Sequence, residues 1–246
     1  MCLTYFVFSR TERHSKNQTY NQLLKRENKM RITVFGAAGD VGSRIVNEAI
    51  SRGHKVTAVV RKPEQLAALP IKSIGVLGHA DKLDDVIKLS SDQDLVISAV
   101  RPPKGYENDL VSITDSILTG TSLVNVHTLI VGGAASLNMP KRIQGLEPNT
   151  VLTEPNFLPA SVMNIAKACF KQHKMIEQHA SKKWTYISPP AMLQPGKRTG
   201  VYRLGKNELM YDDKNNSHIS MEDFSVALLD EAEQPKHQTS RFTVGY

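Results

Sequence analysis

One stretch constrains this chain more than any other: Arg31-Ile-Thr-Val-Phe-Gly-Ala-Ala-Gly-Asp-Val-Gly-Ser-Arg44. A short apolar, β-branched run from Ile32 to Phe35 meets three glycines, Gly36, Gly39 and Gly42, each separated from the next by two residues. The apolar spacing Val41, Ile45, Ala49 follows at once. The first pattern is that of a strand and the last is one face of a helix. Between them Gly36 permits a sharp turn, Gly39 lets backbone approach a phosphate with no Cβ in the way, and Gly42 lets the helix pack close to the sheet. The helix start then presents unpaired N–H groups and the positive end of its dipole to an anion. A turn required by structure alone needs one glycine rather than three, so the spacing predicts nucleotide binding.

A second apolar strand, Lys55 to Val60, ends in Arg61-Lys62-Pro63, and Pro63 opens a short predicted helix over Glu64 to Leu69, a position where proline is well tolerated. Folds that bind NAD place an acidic residue near this point, against the ribose 2′-hydroxyl. Arg61 and Lys62 stand there instead. A guanidinium matches a 2′-phosphate, so the pair predicts NADP(H); the alternative is a solvated charge pair on a loop.

Ile74 to Leu77 reads as the third strand, Leu83 to Leu89 as a helix, and Asp94 to Val100 as a nearly continuous apolar strand of the kind buried on both faces. Leu110, Ile113, Ile117 and Leu118 mark a further helix, and Thr128 to Val131 a fifth strand. Strands alternating with helices predict an α/β fold, a Rossmann-type doubly wound parallel sheet. Ligands of such sheets bind outside the carboxyl ends of the strands. The cofactor contacts this nominates are Gly36, Ala38, Gly39, Asp40, Val41 and Gly42 after the first strand, and Arg61 and Lys62 after the second. His79 and Ala80 follow the third, Ser98, Ala99 and Val100 belong to the fourth, and Gly132 and Gly133 to the fifth. No residue declares itself catalytic. Ser136 and Arg101, at the ends of two strands, can hydrogen-bond an acceptor or can equally meet only cofactor or water.

Leu137 to Ala160 contains four prolines and no clear periodicity, the mark of a lid or binding loop. A helix is predicted from Ser161 to about Ser181, and a strand over Trp184 to Ile187. Val201 to Leu204 and Glu208 to Tyr211 suggest a hairpin around Gly205-Lys206-Asn207. Ser220 is a plausible N-cap for a helix over Met221 to Glu233, and Arg241 to Tyr246 reads as a last strand. This part forms a small C-terminal extension on the substrate side.

The formal charge of +7 invites a nucleic-acid partner, but six basic and two acidic residues lie in the first 29 positions and leave +3 for the rest. No basic cluster marks the folded part, so nucleic acid is not expected. No apolar run approaches ~20 residues, so no membrane span is expected. Residues 1–29 are read as a disordered leader or an upstream extension, with a short docking arm as the alternative, and residues 30–246 as one NAD(P)-binding domain. The two cysteines, Cys2 and Cys169, exclude a disulfide framework and fit a reducing cytoplasm. Cys169 has the surroundings of a small buried apolar residue. The histidines show no metal-ligand spacing, so no metal is expected. A monomer or weak dimer acting on a small-molecule acceptor is the expected state.

Several segments together carry a resemblance: the glycine spacing, Val-Val-Arg-Lys62, Val-Ile-Ser-Ala-Val100, Ile-Val-Gly-Gly-Ala-Ala-Ser-Leu137, Trp-Thr-Tyr-Ile-Ser-Pro-Pro190, Pro-Gly-Lys-Arg-Thr-Gly-Val-Tyr-Arg-Leu-Gly205 and Arg-Phe-Thr-Val-Gly-Tyr246. Over residues 30–246 the chain resembles the atypical short-chain dehydrogenase/reductases, in the NAD(P)H-binding branch that includes flavin reductase and biliverdin reductase B, with NmrA-like redox sensors as relatives. The resemblance implies a Rossmann-type domain binding NADPH, with a substrate cleft over the nicotinamide. The chain departs from it at Gly78-His79, where such proteins usually show Gly-Asp; His79 can stack on adenine or simply be a surface histidine.

A second departure concerns proton donation. Reduction of a ketone creates an alkoxide that needs a proton donor close by, which short-chain dehydrogenases supply from a Tyr-x-x-x-Lys pair. The only match, Tyr202-Arg-Leu-Gly-Lys206, lies late in the chain and is read as chance. A flavin, quinone or tetrapyrrole takes hydride into a delocalised system and its proton from solvent. The expected function is therefore an NADPH-dependent reductase of such acceptors, with a non-catalytic NADP(H) sensor as the alternative. A nucleotide-sugar epimerase or dehydratase is disfavoured, because that chemistry also needs the tyrosine.

Overall fold

The computed structural model describes residues 29–140 and 158–246. The leader, and most of the proline-rich segment read as a lid, lie outside the described residues.

Five strands form in the order the apolar runs suggested: β1 (Arg31–Phe35), β2 (Lys55–Val60), β3 (Ile74–Leu77), β4 (Leu95–Ser98) and β5 (His127–Val131). β4 is shorter than its apolar run, which continues as extended chain through Ala99 and Val100. With β6 (Trp184–Ser188), β8 (Arg203–Gly205) and β10 (Ser240–Gly245) they make an eight-stranded sheet in the order β3-β2-β1-β4-β5-β6-β10-β8. Every neighbouring pair is parallel except β10 with β8. The chain thus folds as a Rossmann-like α/β protein, and the strand order reverses between β1 and β4, where such sheets open a ligand crevice.

Helices cover both faces: α1 (Asp40–Ser51), α2 (Leu83–Ser90), α3 (Asp109–Leu123), α4 (Ala160–Gln178) and α5 (Met221–Glu233). The alternation along β1 shows why. Ile32 and Val34 point into a core shared with Ile45, Val46, Phe224 and Leu228 of α1 and α5. Phe35 faces the other way, onto Val86, Ile113 and Ile117 of α2 and α3. Ser220 caps α5 as predicted, its Oγ accepting the Asp223 N–H at 2.9 Å. The segment over Pro63–Ala68 is a 3-10 rather than an α-helix.

The predicted hairpin at 201–211 does not form. Arg203–Gly205 pairs instead with the last strand, and Leu209 is buried beside Leu137, its N–H bonded to the Asn138 carbonyl at 2.9 Å. Local turn chemistry suggested a hairpin; the apolar partners available to Leu209 and Tyr211 lay far off in the sequence and decided the pairing. A strand not foreseen, β7 (Met192–Gln194), runs parallel to β9 (His218–Ser220) in a small second sheet.

Candidate functional site

β1 ends in Gly36, whose φ is +81°, a region L side chains rarely adopt. A Cβ on Gly36 would lie 2.6 Å from the Ala99 carbonyl oxygen, and one on Gly42 would lie 2.0 Å from the Gly36 oxygen. The turn is therefore wedged between β4 and α1 with no room for a side chain at either point. Gly39 is different. A Cβ there would meet a single atom, the Gly36 oxygen at 3.3 Å, and would otherwise be open to a cavity. Packing within the chain does not demand glycine at 39, whereas a phosphate seated against the backbone would. α1 starts there without a side-chain cap, so its first N–H groups are left for another acceptor.

The cavity, of about 960 Å³, crosses the carboxyl ends of β1, β2, β4 and β5. Every residue nominated from sequence as a cofactor or acceptor contact lines it except Gly42, Ser98 and Ser136. Gly42 is buried beneath Gly36, and Ser98 stays inside the sheet, paired with Phe35 and Ile130. Ser136 is turned away: the Arg241 guanidinium donates to its carbonyl and its Oγ, both at 2.8 Å. A partner 105 residues along the chain left no mark in the local sequence, so Ser136 is withdrawn as an acceptor contact.

At one end of the cavity, the Arg61 and Lys62 N–H groups both donate to Gln65 Oε1, at 3.2 and 3.1 Å. This fixes the junction after β2 while the Arg61 side chain stays exposed and makes no hydrogen bond or ion pair among the described residues. His79 is held through its backbone, its N–H donating to Asp85 at 2.8 Å.

Away from that end the cavity is walled by Pro102, Val162, Ile165, Pro190 and Met221, which the strand-end rule could not nominate. Cys169 of α4 lines it too, and burial pushes its thiol up to about 11, against a smaller opposite pull from Arg101. The floor is Gly132-Gly133. Tyr186 lies directly under it: a Cβ on Gly132 would stand 2.0 Å from the ring, and the Gly133 N–H donates to the Tyr186 hydroxyl at 3.2 Å. That hydroxyl donates to Gln172 at 3.1 Å, and Gln172 donates to Thr114 at 2.8 Å. Burial pushes the Tyr186 phenol far above its ordinary range, so it remains protonated.

No tyrosine is among the described residues that line the cavity. Tyr202, of the chance Tyr-x-x-x-Lys match, lies elsewhere and bonds Asp230 of α5.

A glycine-lined turn, an uncapped helix start and a cavity across the strand ends define a dinucleotide-binding α/β protein. Consistently, the family described as NAD(P)H-binding matches residues 36–235. The chain belongs to that family. It is 33% identical over 227 residues to the uncharacterized protein YwnB of Bacillus subtilis (strain 168), covering 87% of this chain and 98% of that one. A proposed epimerase from Bacteroides thetaiotaomicron superposes with a TM-score of 0.78 at 35% identity, covering 88% of this chain and 96% of its own. A proposed NADH-flavin reductase from Streptococcus pneumoniae TIGR4 gives 0.71 at 26% identity, covering 88% and 99%. Family and neighbours together make the chain an atypical short-chain dehydrogenase-like protein that binds a nicotinamide cofactor. Among the described residues no helix is long and apolar enough to cross a membrane.

Proposed function

We propose that the chain is an NADPH-dependent reductase that passes hydride to a small conjugated acceptor of the flavin, quinone or tetrapyrrole type. The observation that carries this reading is the cavity wall: Arg61 and Lys62 at one end, a mainly apolar wall with Arg101 and Asp109 at its edge elsewhere, and no tyrosine among its described residues. A ketone or sugar substrate would need a proton donor held beside the carbonyl oxygen that becomes the alkoxide. The buried Tyr186 hydroxyl does not meet that need, being 0% exposed and already committed to Gln172 and Gly133. A delocalised acceptor takes two electrons with the hydride and draws its proton from solvent.

NADPH, when bound, supplies the hydride. The chain's own residues position and enclose. Gly36 to Val41 and the α1 start would receive the pyrophosphate and Arg61 the 2′-phosphate, while Tyr186 keeps the Gly132-Gly133 floor in place. The apolar side chains of the wall pack against the acceptor ring and leave solvent to supply its proton. Two cysteines in 246 residues support a reducing, cytoplasmic setting.

The test is NADPH oxidation, followed by absorbance, with flavins and quinones as acceptors. Turnover with either class, and none with simple ketones, is expected. Tight NADPH binding with no turnover on any acceptor would favour a non-catalytic NADP(H) sensor instead.

A further inference from the structure

Arg101 is the one cation among the described lining residues that lies away from the Arg61, Lys62 and His79 end of the cavity. It follows Val100, directly after the strand end that packs on Gly36. Pro102 and Pro103 come next; proline restricts both its own backbone and that of the residue before it, so the segment presenting Arg101 is stiff. Pro102 is buried while Arg101 is exposed. The guanidinium makes no hydrogen bond or ion pair among the described residues. Glu107, the nearby carboxylate that feels its charge, is already occupied by the Gly105 N–H at 3.0 Å. Arg101 lines the same cavity as Cys169, which stands against Gly133 at the cavity floor.

A charged group with five donors and no acceptor, presented from a stiff segment among mainly apolar side chains, is suited to bidentate recognition of an oxyanion. We propose that Arg101 is a specificity-determining residue, and that the physiological acceptor carries an anionic group, a phosphate or carboxylate, which Arg101 receives while the conjugated ring lies against the apolar wall. The proposal rests on the reductase reading for the identity of the site, and it adds the charge of the substrate. Asp109, which lines the same region, disfavours a second anionic group on the side of α3.

The experiment compares acceptor pairs that share a ring and differ by one anionic group: FMN against riboflavin, and 1,2-naphthoquinone-4-sulfonate against 1,2-naphthoquinone. For wild type, Arg101→Gln and Arg101→Lys, three quantities are measured: kcat/KM for each acceptor, the Kd of each flavin for the NADP⁺-loaded protein by fluorescence quenching, and the Kd of NADPH. The expected result is a wild-type preference of about tenfold or more for the anionic member of at least one pair, the scale of a charge-assisted hydrogen bond. That preference should collapse in the glutamine variant and return in part with lysine, while the NADPH Kd moves less than threefold. A preference that survives Arg101→Gln, or its absence in wild type for both pairs, overturns the proposal. So does a loss confined to NADPH binding, which would assign Arg101 to the cofactor. Should wild type reduce no acceptor, the reductase reading fails by itself, and the flavin binding constants still decide on Arg101.

Discussion

The two ends of the cavity are built in different ways. The cofactor end comes from one continuous turn, Gly36 to Val41, with the residues that close β2; the acceptor end is gathered from Pro102, α3, α4, Pro190 and Met221. Backbone N–H groups and absent side chains are local features, so a phosphate site can be written in seven consecutive residues. An apolar wall is made by whichever side chains packing brings together, and any of them could serve a core equally well. The difference predicts that substitutions at the first end act on cofactor affinity one residue at a time. At the second end they act through the scaffold that holds the wall.

The largest effect is expected from Gly42→Ala. Its Cβ would meet the Gly36 oxygen and carbonyl carbon at 2.0 and 2.8 Å, both backbone atoms, so the turn itself must shift. A loss of about 3 kcal/mol or more in unfolding free energy, read from the denaturant midpoint, should accompany loss of saturable NADPH binding. Gly39→Ala separates the two consequences. Its Cβ meets one atom at 3.3 Å, so stability should change by less than about 1 kcal/mol, while NADPH affinity falls at least tenfold. A Gly39→Ala protein that binds NADPH as wild type does would break the assignment of the cofactor end.

Arg61→Ala comes next. It should weaken NADPH binding by about 1.5–3 kcal/mol, the worth of hydrogen bonds to a charged group, and leave NADH within twofold. Fluorescence titration of both cofactors checks this. Equal losses would mean that the 2′-phosphate is received elsewhere.

At the acceptor end the supporting residue is Asp223, which is 0% exposed. Its carboxylate accepts from the Thr199 and Gly200 N–H groups, each at 2.7 Å, and from the Thr199 and Tyr246 hydroxyls, each at 2.6 Å. Neighbouring Glu222 ties Arg44 and the Gly196 N–H to the same helix start. These clamps fix the segment between β7 and β8 near Leu193 and Met221 of the cavity wall. Burial works to raise the Asp223 pKa, but the donated hydrogen bonds outweigh it and hold the group below its ordinary value. The folded-state pKa is depressed, so its stabilisation is fully present above about pH 4 and is lost as pH falls through the folded value. Asp223→Asn should cost about 1–3 kcal/mol at neutral pH, flatten the acid side of the stability curve, and raise the acceptor KM with little change in NADPH affinity. A matching loss of NADPH affinity would show that the two ends are not separable.

The same contrast explains what the sequence made legible. The order β1 to β5, the glycine turn and the Ser220 cap rest on spacings of a few residues, and all three appear in the fold. Ser136 failed as a candidate because Arg241 claims it from the last strand. The hairpin failed because Leu209 and Tyr211 found Leu137 and Leu158. Cys169, read as a small buried apolar residue, is only partly buried, and nothing in its helical spacing said that the space beside it was a cavity. Amphipathic periodicity gives the face that is buried, not what it is buried against.

The smallest predicted effect has the opposite sign to the others. Asp40 stands in the first turn of α1, exposed and lining the cavity. A carboxylate there is favourable to the helix dipole, yet it opposes any pyrophosphate brought to the same helix start. The two effects trade stability against cofactor affinity within one residue. Asp40→Asn should therefore lower stability slightly while tightening NADPH binding by about 0.3–1 kcal/mol at low ionic strength. The gain in affinity should fade as salt shortens the Debye length. Titrations at two salt concentrations test this directly. An affinity unchanged at low salt would mean that the pyrophosphate does not pass over the start of α1, and the cofactor end would then need a different acceptor for its unpaired N–H groups.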